Sequence, residues 1–484
     1  MNLALHLLSK MNRKDFKILL DKTECKYLEC WKILSSFKKK PDKSIVLFQG
    51  ILCETLIDLS KAYKQINQLR NNLIERKKDF SKTWFSSIQK TLSDRQKTIV
   101  EVSGIGKAMG DSFAWLFYHN DRALLDEHLK HQYSKIMPTG FGGFGEMMFV
   151  KNIKMIDKYL VIYHGTTTIL RIGDISLIDL GKLKVAGIGE IKSSPIVRGK
   201  LSIGILMNFT NSSLPIKMPK TKKLKKGSMI DELPQKSKDR LKRQMIKISK
   251  TLSEESIKKP NENINQYLKY YYNDFEKLFD KSIHNTFSYG QFGKGLLCGI
   301  YRERKRSLYS IFCSKSNIEF NSNLEELKPR SEKLLLKGSK FNDIKIGALL
   351  YLDDGTPWLM PGAIPLFWWP INIEIIKKII FHQCITFTVY TSAHFVDALQ
   401  KEGFEVNKKR GSRLDFLLEK EFDDHKMQFE NIWFFIELIT QCLLRESEAV
   451  KMILYSTKQS KTYGKKQERL RIDFRFSQML GRPA

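Results

Sequence analysis

Between residues 159 and 194 the chain reads YLVIYHGTTTILRIGDISLIDLGKLKVAGIGEIKSS, and no other stretch limits its fold so tightly. β-branched and apolar residues come in short bursts, broken by His164-Gly165 and Leu180-Gly181, where a chain turns at little cost. The pattern predicts three antiparallel strands over 159 to 164, 167 to 179 and 182 to 192, joined by two tight turns.

Everything upstream has a different period. Residues 1 to 135 hold a single proline, Pro41, and apolar positions such as Leu52, Leu56, Leu59, Tyr63 and Ile66 recur at helical spacing, so a helical N-terminal region is expected. Glycines 104, 106 and 110 in SGIGKAMGDSFAWLFYHND satisfy neither a Walker loop nor a dinucleotide fingerprint. That segment reads instead as a core-facing helix carrying Ala108, Phe113, Ala114, Leu116 and Phe117 on one side, with Asp111 and Trp115 a turn apart. From 69 to 95, basic and aromatic residues alternate (Arg70, Arg76, Lys77, Lys78, Phe80, Lys82, Trp84, Phe85, Lys90). A helix tracking a phosphate backbone and a solvated face at a core edge explain this equally well.

At residue 136 a new domain begins, with the glycine-rich PTGFGGFGEMMFV leading into a short helix that carries Glu146. Residues 211 to 235 hold three prolines and a basic block, the marks of an exposed loop, and residues 236 to 254 resume a helix with Leu241, Met245 and Ile248 on one face. A second α/β domain follows over 276 to 484. Its strand-like runs are GLLCGIYRE, SLYSIFC, ALLYLDDG, TFTVYTS and RLDFLLEKEF; its helical runs are IEIIKKIIFHQ, AHFVDALQKEGF and the nearly all-apolar IWFFIELITQCLL. The fold class expected is mixed α/β in three regions, 1–135, 136–275 and 276–484, with a strongly basic tail from Lys458 to Arg475.

Charge bears on partners. Against 52 Asp plus Glu stand 83 Lys plus Arg, a net +31 that would draw a polyanion, so nucleic acid is the expected partner. The rival explanation is a compositional bias that also enriches Ile and Asn. No segment reaches the roughly 18 consecutive apolar residues of a membrane helix, and MNLALHLLSK lacks the basic start and cleavage site of a signal peptide. A cytoplasmic protein without membrane association is expected. The seven cysteines form no CxxC pair and read as reduced thiols, while His128 and His131 read as a surface pair rather than metal ligands.

The chemistry concentrates on the predicted hairpin. Side chains alternate along a strand, so Glu190 and Lys192 share a face while Ile191 points to the core. With a turn at Leu180 to Lys182, Asp174 stands opposite about residue 188, bringing two carboxylates and an ammonium to one end. Two carboxylates can hold a hard divalent cation through oxygen while leaving positions for water and a phosphate oxygen. The ammonium can orient that water or offset charge gathering on phosphate. Glu146 could reach the same cluster. Asp179, with ten residues between it and Glu190, is a rival acid, although Asp-Leu-Gly-Lys also reads as turn chemistry.

GDISLID, then fifteen residues between Asp174 and Glu190, then GEIKSS resemble the core of the PD-(D/E)XK nuclease superfamily. Gly173 stands where that pattern often has proline. The resemblance implies a restriction-endonuclease-like αβββαβ core over residues 140 to 255, with Asp174 and Glu190 as ligands of Mg2+ or Mn2+, Lys192 as the catalytic lysine and Glu146 in support. It also implies that Gln244 is a polar residue on the following helix, although Ile248 stands where a tyrosine would accompany it. Between Lys217 and Lys250 lie thirteen Lys or Arg and three acids. Lys222, Lys223, Lys225, Lys226, Lys238, Arg240 and Arg243 are therefore expected to contact phosphates, with Gln244 beside them.

The function these features imply is a metal-dependent endonuclease, with DNA favoured over RNA, and by analogy a setting in bacterial antiviral defence or restriction. The alternatives are a ribonuclease using the same site and a non-catalytic nucleic-acid-binding or assembly protein. The N-terminal helices and C-terminal domain would then supply partner contacts or self-association.

Overall fold

The structure, a computed structural model, describes residues 13–40, 44–118, 122–132, 136–137, 146, 148–150, 155–156, 159–179, 184–197, 200–209, 263–264, 268–283, 285–303, 307–313, 344–349, 365–408, 416–422, 425–429, 432–463 and 473–474. Helix and antiparallel sheet are mixed, and the chain divides into two compact units rather than three regions. One comprises Met1–Lys259 with Ser307–Phe312; the other comprises Pro260–Arg306 with Cys313–Ala484.

The first unit begins with three long helices, α1 (Arg13–Lys39), α2 (Ile45–Glu75) and α3 (Lys82–Tyr118), followed by the short α4 (Arg122–Leu129). On α2, Leu52, Leu56, Leu59, Ile66, Leu69 and Leu73 are buried, at the three- and four-residue spacing that makes one apolar stripe. Burying each such side chain contributes about 1.5–3 kcal/mol of transfer free energy. That stripe packs on α1 and α3. The second half of α3 is enclosed on nearly every side, Val102 to Tyr118 being buried apart from Gly104, as expected of a core-facing helix.

Five strands form an antiparallel meander in the order β1-β2-β3-β4-β5: β1 (Met155–Ile156), β2 (Tyr159–Tyr163), β3 (Ile175–Asp179), β4 (Lys184–Val197) and β5 (Lys200–Phe209). The first strand falls where the sequence put it. The second is much shorter than 167 to 179, because residues 164 to 172 are drawn out of the sheet. The Asp111 carboxylate on α3 accepts from the amides of Thr168 (2.6 Å) and Ile169 (3.2 Å) and from the Thr168 hydroxyl (2.6 Å). Backbone groups bonded to a side chain cannot enter a ladder. The third strand runs past Lys192 and returns directly as β5. The strand β5 was not expected from the sequence; the basic loop and helix expected over 211 to 254, and with them the helix that the resemblance places after the three strands, lie outside the described residues.

The helices and the sheet share one unit because they are bonded together. β1 covers only the first two residues of β2, and the Gln49 amide takes over beyond it, donating to Val161 O (2.6 Å) and accepting from Tyr163 N (2.8 Å). A side-chain amide here replaces the neighbouring strand that an exposed edge would otherwise seek. No boundary at residue 135 separates the two parts.

The second unit carries a four-stranded antiparallel sheet in the order β7-β8-β10-β9: β7 (Phe287–Phe292), β8 (Leu296–Arg302), β10 (Cys384–Thr391) and β9 (Ile344–Leu349). Three more strands, β11 (Glu405–Lys408), β12 (Phe416–Phe422) and β13 (His425–Phe429), form a second sheet, and β6 (Asn263–Ile264) pairs with β14 (Asp473–Phe474). Its helices are α5 (Tyr272–Lys281), α7 (Ile373–Ile380), α8 (Ala393–Lys401), α9 (Trp433–Cys442) and α10 (Glu446–Tyr463). The helices expected at IEIIKKIIFHQ, AHFVDALQKEGF and IWFFIELITQCLL are present, whereas α5 and β7 have no counterpart in the sequence reading. SLYSIFC is not a strand. Leu308–Phe312 forms a short helix, α6, belonging to the first unit. The Ser307 hydroxyl accepts from Ser310 N (3.2 Å), a cap that favours helix, and Leu308 N donates to Glu24 on α1 (3.0 Å).

All seven cysteines are free thiols, five of them buried. No described helix is long and apolar enough to cross a membrane.

Candidate active site

The β3–β4 ladder sets the geometry. Ile175 pairs with Gly189, and Asp174 N donates to Gly189 O (2.8 Å), so Asp174 stands beside Glu190 at the mouth of the hairpin. The expected partner was residue 188. A bulge at Leu177–Ile178 shifts the register and brings the two acids into closer correspondence than the turn arithmetic gave. Gly173 has φ +75, and a Cβ there would lie 2.8 Å from Gly189 O. Glycine at this position therefore lets the chain turn tightly into Asp174 against β4.

Glu190 is 3% exposed and Lys192 partly so, with Lys192 Nζ 3.2 Å from Glu190 Oε2. Burial raises the Glu190 carboxyl well above the usual carboxylate range; the nearby Asp174 carboxylate raises it further and Lys192 draws it back. Asp174 is oriented by its own backbone surroundings: its Oδ2 accepts from Ile191 N (2.8 Å) and its carbonyl accepts from His164 N (2.9 Å). Glu146, on the helix before β1, accepts from the Tyr163 hydroxyl. Its carboxyl is pushed up to about 7, first by burial and then by Asp174, while the Tyr163 hydroxyl bond and Lys192 pull the other way. Four of the sequence-derived residues, Asp174, Glu190, Lys192 and Glu146, thus act on one another electrostatically. Asp179 does not join them. It ends β3 opposite Lys184, five residues or about 16 Å of strand from Asp174.

Behind this cluster lies a buried polar support that sequence reading did not identify. His164 sits in the turn after β2; its Nδ1 is 3.1 Å from Gly173 O and its Nε2 is 2.6 Å from Ser176 Oγ, which meets the Tyr118 hydroxyl of α3. Burial lowers the imidazole to about 4 and keeps it neutral, consistent with Nδ1–H donating to Gly173 O. The turn is fixed in place by Asp111, whose carboxyl burial raises to about 6 against the pull of Thr168, Ile169 and Lys107. Gly110 allows the approach, since a Cβ there would fall 2.0 Å from Thr166 O. The available signal was an aspartate on an otherwise apolar helix face, a group that must find partners inside. His128 is also part of this scaffold and not a surface residue: its Nδ1 accepts from Arg171 N (2.9 Å) and Ile172 N (3.1 Å).

Among the described residues, no group of three or more His, Cys, Asp or Glu side chains closes into a metal site. What the site offers a hard cation is two crowded carboxylates, Asp174 and Glu190, with Glu146 near enough for Asp174 to raise its carboxyl. An all-oxygen pair that leaves room for waters suits Mg2+, and a divalent ion would turn their repulsion into attraction. Lys222, Lys223, Lys225, Lys226, Lys238, Arg240, Arg243 and Gln244 lie outside the described residues. No family model matches this chain, no curated protein matches it, and no solved structure matches it.

Proposed function

We propose that the protein is a metal-dependent nuclease of the PD-(D/E)XK kind, cutting DNA with Asp174 and Glu190 as metal ligands and Lys192 as the catalytic lysine. The observation carrying this reading is the convergence of two carboxylates and a lysine at one end of the β3–β4 hairpin, where Asp174 adds to the burial that raises Glu190 and Lys192 draws it back. A bound Mg2+ or Mn2+ would polarise the phosphate and lower the pKa of the attacking water. The chain's own groups do the rest. Lys192 Nζ, partly exposed beside Glu190, can donate to a phosphate oxygen or hold the water in line. Glu146, pushed up to about 7, can exchange a proton near neutral pH at the edge of the same cluster. The basic run from Lys217 to Lys250 supplies phosphate contacts.

A second reading, binding without cleavage, draws on the ion pair between Lys192 and Glu190 and on the absence of a three-ligand group among the described residues. Incubating the purified protein with labelled DNA and RNA in Mg2+, in Mn2+ and in EDTA separates these readings. Cleavage of DNA that EDTA stops is expected; cleavage of RNA alone would make the site a ribonuclease, and retention without cutting in either metal would leave a binding protein.

A further inference from the structure

The basic and aromatic stretch that joins α2 to α3 has no part in the cluster around Glu190, and the helices carry it away from their own core. Among residues 70–91, all of them described, Leu73 alone is fully buried. Burial on α3 becomes regular only from Leu92, so about 15 Å of that helix projects with its partner. A hydrophobic contact inside the bundle would explain aromatic residues here, but Trp84 is 37% exposed and Ile74 54% exposed.

The tip is organised. Lys77–Asp79 forms a single tight turn between the helices. Phe80 and Trp84 stack with ring centroids 4.6 Å apart and planes 28° apart, and Lys77 Nζ lies 5.7 Å from the centre of the Phe85 ring. Arg76 holds Asp79 at 2.8 Å, which neutralises the acid in the turn and leaves Lys77, Lys78 and Lys82 exposed on the same tip. A flat, partly exposed indole on a tip that also carries three exposed ammonium groups suits a polyanion whose units also present aromatic faces.

We propose that this tip is a nucleic-acid contact, Trp84 stacking on an unpaired base while Lys77, Lys78 and Lys82 take the flanking phosphates. Stacking requires a base that is free of its partner, so the fitting ligand is a single strand or a frayed end, and the lack of sequence reading follows from every base having a π-face. A membrane surface fits less well. Ser81, Thr83, Ser86 and Ser87 interrupt the tip, and no continuous apolar face is present to enter a bilayer.

The test uses the full chain in EDTA, so that cleavage at Glu190 plays no part and a failure of the nuclease reading leaves the result interpretable. Binding of labelled oligothymidylate is followed by fluorescence anisotropy. Trp84→Ala is expected to lower affinity roughly five- to a hundredfold, with Trp84→Phe retaining most of it. Lys77→Gln with Lys78→Gln should reduce the slope of log affinity against log salt by about 1.4. These residues are exposed, so melting curves should match wild type. Wild-type affinity and salt slope in both variants, or a loss seen only with phosphatidylserine vesicles, would overturn the proposal.

Discussion

Glu190 in the first unit and Glu446 in the second are both carboxyls that burial pushes above the usual carboxylate range, yet their surroundings differ in kind. Glu446 reaches about 7, and what opposes burial there is the Tyr390 hydroxyl, the amides of Lys294 and Gly295 and the Lys294 charge, all favouring the ionised form. Glu190 meets a second carboxylate, Asp174, which adds to the effect of burial. A raised carboxyl alone therefore marks an enclosed acid; a raised carboxyl beside another acid marks a place where a positive charge would relieve both.

Cleavage should separate the two most sharply. Lys192→Ala is expected to reduce DNA cleavage by about a hundredfold or more, the scale of losing a group that stabilises developing charge. Glu446→Gln should cut like wild type, and equal losses in both variants would erase the distinction. Next in size is the scaffold that holds Asp174. Asp111→Ala removes the acceptor of two amides and a hydroxyl and leaves Lys107 buried without its neighbouring charge, so urea unfolding should report a loss of about 3–5 kcal/mol. Retained stability would mean that the 164–172 turn is held by something other than this carboxylate.

Glu190→Gln should do the opposite in the absence of metal. At pH values high enough to ionise Glu190 it relieves repulsion with Asp174, and a gain of about 2–4 °C in melting temperature is expected for each kcal/mol relieved. Added Mg2+ should then stabilise the wild type and not the variant. That contrast should grow with pH through the neutral range, because metal must displace protons from raised carboxyls, Glu146 at about 7 among them.

The smallest effect belongs to Glu446. Its folded value of about 7 lies above the ordinary 4.5, so between those pH values the folded chain keeps a proton that the unfolded chain has released. The free energy of unfolding should fall as pH rises through that window, and Glu446→Gln should flatten the slope in urea titrations at successive pH values.

Much of the site was readable because strand alternation and turn spacing are local. Glu190 and Lys192 share a face through the period of two, and Asp174 follows from the hairpin. What escaped was tertiary. Asp111 lies 57 residues from Thr168 in sequence, and its pull shortens a strand that β-propensity alone extends back to residue 167. Gln49 bonds to β2 across more than a hundred residues, so a boundary drawn on composition at residue 135 cut through a bonded core. SLYSIFC has the β-rich composition of a strand, but a serine cap and the Glu24 carboxylate make it a helix.

The central claim is that Glu190 serves a metal-dependent cut, and Glu190→Gln tests it with the least change of shape. Wild-type and variant protein are incubated side by side with end-labelled DNA in Mg2+. Cutting by the wild type that EDTA abolishes and that the variant lacks, with binding in EDTA unchanged, is the result expected; a variant that cuts as fast as the wild type would contradict it.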